Sequence, residues 1–477
     1  MRPLIHEVCT AHTPESAASL CGPRSGVVLL RSSLFDARDT RYSFLAAHPF
    51  LTFRSRGSRC ELEEPDGKIH VQFGNPWQVM DGLMARYELL DEIDRPFPLG
   101  GCFGFWGYDL KNFVEPGLPR RAINDLDLPD CHLGFHDSVV IFDHRSGKTW
   151  IVATGLDAEG SRTQARANAK LHWWLELLNR EPVSPARAPN ETAPAPLRSN
   201  VTRDEFLAAV AQARRYIRAG DIYQVNLSHR LTAASDVAPW DFFLRLLDAS
   251  PAPFSAYLDA GDFQISSSSP ESFLRMSGPH IQTRPIKGTR PRSGDPTRDA
   301  QLTYELQTSP KEMSELVMIT DLLRNDLGRI CEFGSVVVPE LVRLERFPQV
   351  QHLVSTVEGR LRDDVTHFAA FASCFPGGSI TGAPKIRAME IIDELEPFSR
   401  GPYTGAIGYL GFNRESQLSI TIRSAISMEG SVHFNVGAGI VDESDPAAEY
   451  DETMAKAGGF LAALRGRDLL ATRPQPH

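Results

Sequence analysis

Residues 254–269 read FSAYLDAGDFQISSSS. Two short runs flank Ala260-Gly261-Asp262, and a glycine set among small and acidic residues is a turn signal. The stretch predicts a β-hairpin, which places sheet in the middle of the chain. Upstream, IYQVNLSHRL (222–231) alternates, with Tyr223, Val225 and Leu227 on one face and Gln224, Asn226 and Ser228 on the other, as a strand requires. Before it, 203–219 reads as a helix stopped by Gly220 at the C′ position. Further upstream, EPVSPARAPNETAPAPLRS (181–199) repeats Pro and Ala without periodicity and reads as a linker. Ahead of that linker, strand patterns such as GVVLL (26–30) and SVVIFD (138–143) lead to an amphipathic helix over 161–179. Downstream of the hairpin, strands and helices alternate to a last helix over about 446–465. The expected organisation is an N-terminal lobe over 1–180, the linker, a larger domain over 200–465 and a tail over 466–477. The fold class is α/β or α+β, with two sheets built from distant segments and helices packed outside.

The bulk numbers fit a packed globular protein. Of 477 residues, 42% are hydrophobic and 23% charged, so wholesale disorder is excluded. Sixty acidic against fifty basic residues leave a net charge of -10, which argues against a nucleic-acid binder. The 7 cysteines are odd in number and never spaced CxxC, so they predict neither a disulfide framework nor a structural zinc site, but a reducing compartment. GVVLL is too short for a membrane or signal segment. A cytoplasmic protein without membrane or nucleic-acid partners is expected.

Several stretches could carry chemistry. Ser309-Pro310-Lys311-Glu312 is a helix start, with Ser at N-cap, Pro at N1 and Glu at N3. In a capping box Glu312 would reach back to a backbone N–H. Glu315, however, sits 4 and 7 residues before Ile319 and Leu322 on the apolar stripe. A carboxylate there must be neutralised, paired or bound to a cation. In the last helix Glu449, Glu452 and Lys456 share one face, either as a solvated Glu452–Lys456 pair or as a second pair of ligands. Two helices presenting paired glutamates suggest an oxygen-only site for Mg²⁺. FPGGSITGAPK (375–385) and NVGAGIV (435–441) are Gly-rich loops able to approach an anion. The first is not a Walker A loop, since Ala383-Pro384 precedes Lys385 and no Ser or Thr follows it. Arg423 is a carboxylate fork candidate. GGCFG (100–104) has the spacing of a glutaminase nucleophile turn. No histidine–glutamate pair follows at a suitable place, and glycine-rich packing between strands is the better reading. RPIKGTRP (284–291) holds Lys287 in a stiff, Gly-bounded segment, as a surface cation, a phosphate clamp or a nucleophile.

These stretches together resemble a family. SSSSPESFL, RPIKGTRPR, ELVMITDLLRNDLGRI, VQHLVSTVEGRL, PGGSITGAPKIRAMEII, GPYTGAIGYLG, IRSAI, VGAGIV and EYDETMAKA match, in order, the signature blocks of the chorismate-utilising enzymes. That family includes anthranilate synthase large subunits, aminodeoxychorismate synthase component I, and isochorismate and salicylate synthases. The match runs from about 200 to 465, so this is the expected catalytic, chorismate-binding domain. LLRSSLFD and GGCFGFWGYDL extend it more weakly to the N-terminal half. The resemblance implies a two-lobed sandwich with its active site between sheets.

It also implies roles. Glu315 and Glu452 match Mg²⁺ ligands, with Glu312 and Glu449 as helpers acting largely through water. Gly288, Thr289, Ser379, Tyr403, Arg423, Gly437, Gly439 and Lys456 match substrate-side positions, and His352 a histidine at the ring. Gln224 stands where isochorismate and salicylate synthases carry a water-activating lysine, which favours ammonia over water as nucleophile. Lys287 stands where anthranilate synthases carry alanine and component I of aminodeoxychorismate synthase carries lysine. By that resemblance Lys287 attacks C2 of chorismate while Glu271 protonates the departing C4 hydroxyl. Ammonia then attacks C4, expels Lys287 and yields 4-amino-4-deoxychorismate, for 4-aminobenzoate and folate. The ammonia is expected from a separate glutaminase subunit. Ser32 and Pro253 match parts of a tryptophan pocket in relatives. The alternative within the family is an anthranilate synthase large subunit.

Overall fold

The computed structural model describes residues 2–22, 26–32, 40–89, 95–182, 196–347 and 350–465. Most of the expected linker (183–195) and the tail (466–477) lie outside the described residues. The hairpin forms as expected: Phe254–Asp259 pairs antiparallel with Gln264–Ser269, closing at Asp259 opposite Gln264. Gly261 in the turn has φ +85°, which a residue with a Cβ adopts only under strain.

Two twelve-stranded sheets are built outward from the two sides of this region. The first runs Leu4–Val8, Lys148–Ala153, Ser138–Asp143, Tyr42–Ala46, Val28–Arg31, Phe254–Asp259, Gln264–Ser269, Ser424–Met428, Ser431–Ile440, Gln224–Ala234, Arg198–Ser199, with Gly382–Ala383 beside Gln224–Ala234. The second runs Ile286–Pro291, Val350–Arg360, His280–Arg284, Ser272–Ser277, Glu415–Ile420, Ala406–Gly411, Gly101–Trp106, Cys131–His136, Leu51–Arg56, Arg59–Glu63, Ile69–Phe73, with Val337–Arg346 beside Val350–Arg360. The strand pairings within both sheets are antiparallel. The linker boundary therefore does not divide the molecule in space. Val28–Arg31 pairs with Phe254–Asp259, and Gly101–Trp106 with Ala406–Gly411, so the segments before and after the linker share both sheets.

Strand alternation explains the layers. In the first sheet Phe44, Val139 and Ile141 point inward and join Phe103, Phe105 and Leu133 of the second in one core. Phe44 meets Tyr409 edge-on across the gap, ring centroids 4.9 Å apart. Leu29, Leu45 and Val140 point the other way and are covered by Trp174, Leu177 and Phe243 from outer helices. Val225 and Leu227 pack in a third cluster with Phe206 and Val210 of Arg203–Arg218 and with Met389 and Ile392 of Lys385–Leu395. The helix Arg203–Arg218 ends with Ala219 as cap and Gly220 at φ +84°, as its sequence predicts.

Two local expectations are corrected. The strand begins at Gln224, and Tyr223 stands 71% exposed rather than sharing the buried face with Val225 and Leu227. The last helix is two: Pro446–Lys456 and Gly458–Arg465. Gly459, just past the break, lets the chain approach Ser250, whose Cβ would lie 3.1 Å from an added Cβ. The GGCFG segment is a buried strand, Gly101–Trp106. An added Cβ at Gly104 would lie 2.1 Å from the His132 carbonyl oxygen, so glycine is there for close strand packing. Cys102 is 0% exposed, and burial pushes its thiol well above the usual range, the opposite of an activated nucleophile. All seven cysteines are free. No helix among the described residues is long and apolar enough to cross a membrane.

Candidate active site

A cavity of about 600 Å³ opens between the strands Ile286–Pro291 and Ser431–Ile440 and the helices Pro310–Gly328 and Pro446–Lys456. Its wall brings together Lys287, Gly288, Thr289, Glu312, Glu315, Arg423, Gly439, Glu449, Glu452 and Lys456. These come from five of the sequence blocks singled out above, spread from Lys287 to Lys456.

The helix Pro310–Gly328 forms because Ser309 caps it, its hydroxyl accepting from the Glu312 N–H at 3.4 Å. The Glu312 carboxylate does not return to the N-cap backbone. It turns to Arg290, 3.3 Å away, so the capping-box alternative is not what this residue does. One turn on, Glu315 lies 3.5 Å from Lys287 Nζ, and both side chains are only 14% exposed. The half-buried carboxylate of the apolar stripe is thus paired, as its position demands. Lys287 is delivered by a bulge: its strand pairs Lys287 with Leu353 and Thr289 with His352, and Gly288 between them is out of register. Gly288 has φ +69°, and an added Cβ would lie 2.7 Å from Leu306 Cδ1 and 3.0 Å from Glu312 Oε2.

Glu271 occupies the link between Gln264–Ser269 and Ser272–Ser277, where the chain passes from one sheet to the other. It is 6% exposed. Burial pushes its carboxyl up, opposed by a hydrogen bond from Ser379, the charge of Lys287 and a backbone bond from Ile286. Ser379 and Lys287 are therefore its neighbours. His352 shares a 2.8 Å hydrogen bond with the Thr289 hydroxyl. Desolvation lowers it to about 4, with the Arg423 charge adding to the effect, so it is neutral at physiological pH. Arg423 is half-buried, has φ +49°, and its guanidinium makes no ion pair among the described residues. A desolvated cation facing a cavity without a counter-ion is an anion receptor in waiting.

The opposite wall is the helix Pro446–Lys456, capped by Asp445, which accepts from the Ala448 N–H at 2.9 Å. Glu449 accepts from the Ser444 hydroxyl at 2.6 Å. Burial raises its carboxyl, and the like charge of Glu452 adds to this, while Lys311 and Lys456 oppose it. Lys456 reaches Glu452 at 2.8 Å and also donates to the Gly437 carbonyl at 2.7 Å, so the solvated-pair reading and the site reading meet in one residue. Tyr403 and Gln224 lie behind Gly437 and Gly439. An added Cβ would come within 2.6 Å of Tyr403 Oη at the first and 2.5 Å of Gln224 Nε2 at the second.

The four glutamates suit a hard cation in donor type, since each is an oxygen ligand and they face one cavity from two helices. Among the described residues no three such groups are already gathered closely enough to hold a metal ion. Their oxygens are engaged instead by Arg290, Lys287, Ser444 and Lys456.

Ser32 and Pro253 line a separate cavity of about 30 Å³ with Tyr42, Phe44 and Gln417. At about 10–15 Å³ per water this holds a couple of waters, and an indole would require it to widen. Asn226, Arg290 and Lys311 line the main cavity and were not singled out from the sequence. Arg290 stands inside the quoted RPIKGTRP block and Asn226 on the polar face of the alternating strand, so the signal for both was present.

Comparison with known proteins identifies the family. The family model described as chorismate binding enzyme matches residues 31–462. An anthranilate synthase component 1 of Thermus thermophilus is 39% identical over 457 residues, covering 95% of each chain. An aminodeoxychorismate synthase component 1 of Escherichia coli is 38% identical over 438 residues, covering 92% of this chain and 93% of that one. Among solved structures, anthranilate synthase component I from Streptococcus pneumoniae is 31% identical with a TM-score of 0.77, covering 89% of this chain and 93% of that one. The menaquinone-specific isochorismate synthase of Escherichia coli shares the fold at a TM-score of 0.73 and 20% identity. The relatives carry both names at nearly equal identity. With its two facing antiparallel sheets and the wall of blocks gathered around Lys287 and Arg423, the chain belongs to the chorismate-utilising enzymes.

Proposed function

We propose that this chain is an aminodeoxychorismate synthase component I, which aminates chorismate at C4. The observation that carries the reading is Lys287, in the cavity wall 3.5 Å from Glu315 and near enough to Glu271 to act on its proton affinity. A nucleophile is thus held in the wall of a cavity whose unpaired cation, Arg423, suits a carboxylate, and a general acid neighbours that nucleophile.

The chemistry follows from these positions. Lys287, as the free amine, forms a C–N bond at C2 of the ring. The C4 hydroxyl leaves as water with the proton held by Glu271, whose burial keeps it protonated further up the pH scale. Ammonia then bonds to C4, the C2–N bond breaks, and its electron pair returns to Lys287. Glu315 and Glu452, with Glu312 and Glu449 behind them, would hold Mg²⁺, whose charge would balance a substrate carboxylate. Arg423 supports a carboxylate from the protein side. His352, neutral and hydrogen-bonded to Thr289, packs the ring pocket without adding charge. Gln224, buried at 1% exposure, offers no base to activate water. Ammonia would come from a separate glutaminase subunit.

The test is product identity from purified protein with chorismate, Mg²⁺ and an ammonium salt. 4-Amino-4-deoxychorismate is expected, and anthranilate with pyruvate would instead establish the second reading, which the relatives of that name favour. Lys287→Ala is expected to abolish amination, and an unchanged rate would remove the covalent role. Calorimetric titration with Mg²⁺ is expected to show binding that Glu315→Gln and Glu452→Gln each weaken. Binding that both variants leave intact would place the ion elsewhere.

A further inference from the structure

The second sheet ends on a strand whose pattern is inverted. Ile69–Phe73 reads IHVQF and closes that sheet beside Arg59–Glu63, with all of its residues exposed. On Arg59–Glu63 the core side is marked by Cys60, 0% exposed, and by Leu62, which packs on the core. Opposite those two stand Gln72 and His70. Ile69, Val71 and Phe73 stand opposite Glu63, Glu61 and Arg59, on the face turned away from the core. They are 53, 45 and 75% exposed. Polar residues take the inner face and apolar ones the outer, the reverse of what a strand does for its own sheet.

The backbone of the same residues is open. The Gly74 N–H donates to the Ser58 carbonyl and the Glu64 N–H to the Lys68 carbonyl, each at 2.9 Å, so in this antiparallel ladder the inward bonds belong to Lys68, His70, Gln72 and Gly74. Ile69, Val71 and Phe73 therefore aim their N–H and C=O groups out from the sheet edge. Other edges among the described residues are blunted. Arg198–Ser199 is 2 residues long, and Leu4–Val8 carries Glu7, paired with Lys148. Ile286–Pro291 is bulged and carries Lys287 and Arg290. Val337–Arg346 carries Pro339, Glu340 and Arg343 and twice breaks register. Ile69–Phe73 keeps register throughout and has no proline, acidic, lysine or arginine residue. An edge left so plain is a template for another strand.

The strand fits itself. A second copy laid antiparallel about a two-fold axis at Val71 brings Val71 opposite Val71, and Ile69 opposite Phe73 at both ends. Each opposed pair has open backbone groups and can exchange both of its N–H···O bonds. The side chains of Ile69, Val71 and Phe73 from both copies close into one apolar strip, while His70 meets Gln72 on the other face. No like charges meet, because Lys68 falls opposite Gly74 and the charged Arg59, Glu61 and Glu63 lie one strand further out on each side. Self-complementarity of this kind is what a two-fold interface requires. We propose that Ile69–Phe73 is a homodimer interface, joining the second sheets of two copies edge to edge. A patch this small falls short of the about 1,200–2,000 Å² of a stable interface, so the dimer is reversible and grows with concentration.

The experiment uses the purified full chain. Sedimentation velocity from about 1 to about 300 µM is expected to show monomer passing to dimer, over the range of a weak pair. Val71→Lys sets two ammonium groups on the axis and is expected to hold the chain monomeric throughout, with its thermal melting unchanged. Should Val71→Lys fail to fold, Phe73→Lys carries the same expectation and the same refutations. Register is read by cysteine pairs in a Cys9→Ser background, which removes the exposed native thiol. Hydrogen-bonded antiparallel partners have Cα atoms about 5.5 Å apart, within disulfide reach. Val71→Cys is therefore expected to give a covalent dimer on non-reducing electrophoresis after copper-catalysed air oxidation. Phe73→Cys alone, about 14 Å from its own copy, is not, and mixing it with Ile69→Cys is expected to restore the cross-link. A monomer at every concentration, or a dimer that Val71→Lys leaves intact, overturns the proposal. Cross-linking of Phe73→Cys alone as readily as Val71→Cys overturns the two-fold pairing.

Discussion

Glu271→Gln isolates the proposed general acid. The amide is nearly the same size and can still bond Ser379 and the Ile286 backbone, so what it removes is the transferable proton. Loss of a positioned general acid costs about 10²–10⁴ in rate, and that is the expected fall in kcat. Stability should hardly drop, within about 1 kcal/mol, because the pocket keeps its volume and its hydrogen bonds. The pH behaviour gives a second reading. Burial raises the folded pKa of Glu271 above its ordinary range, so the folded state binds this proton more tightly than the unfolded chain. Stability from this group is therefore present at low pH and is lost as pH rises through the folded pKa. The active, protonated form disappears over the same interval, so wild-type kcat should show an alkaline limb there. The assay is product formation followed chromatographically at constant free ammonia, with thermal melts at each pH. Glu271→Gln should lose both the rate and the alkaline limb. A variant within about threefold of wild type, or one that keeps the limb, refutes the role.

Three further perturbations follow from the geometry. Glu396 accepts from Arg400 twice and from the Ser228 N–H at 2.8 Å, with Arg400 2% and Glu396 8% exposed, so Glu396→Met should cost about 3–5 kcal/mol in urea unfolding. The double variant with Arg400→Met should recover part of that cost, and no recovery would show that the charge left behind is not the cause. Gly288→Ala places a methyl 2.7 Å from Leu306 Cδ1 at φ +69°, and should lose about 1–3 kcal/mol together with Lys287-dependent turnover; unchanged melting would mean the bulge relaxes. His352, lowered to about 4, should contribute stability that is complete above the ordinary histidine pKa of about 6.5 and is lost as pH falls toward 4. His352→Gln should flatten that acid-side loss, and NMR titration of the ring near its ordinary pKa would contradict the burial argument.

The blocks along the chain already named part of the wall. Paired glutamates at helical spacing, a lysine between proline and glycine, and glycines where backbone must approach are written in local residue order, because capping, periodicity and φ preference act within a few positions. Local rules could not say that Glu312 would leave its cap for Arg290, since that choice depends on a strand 22 residues back. Nor could they show that the last helix breaks at Ala457, just before Gly459 packs on Ser250 at the end of a distant helix. The linker is plain in composition, but it marks no spatial boundary, because antiparallel pairing joins Val28–Arg31 to Phe254–Asp259 across it.

By itself the sequence determined the family, the fold class and the glutamates, Lys287 and Arg423 that face the cavity, because each is carried by a short pattern with its own physical cause. Tertiary structure alone decided which of those residues touch. Lys287 meets Glu315 and Glu271 feels Lys287 because sheet register and helix packing bring together atoms from separate strands and helices. Contacts of that range are set by the whole core at once, and no window of sequence contains them.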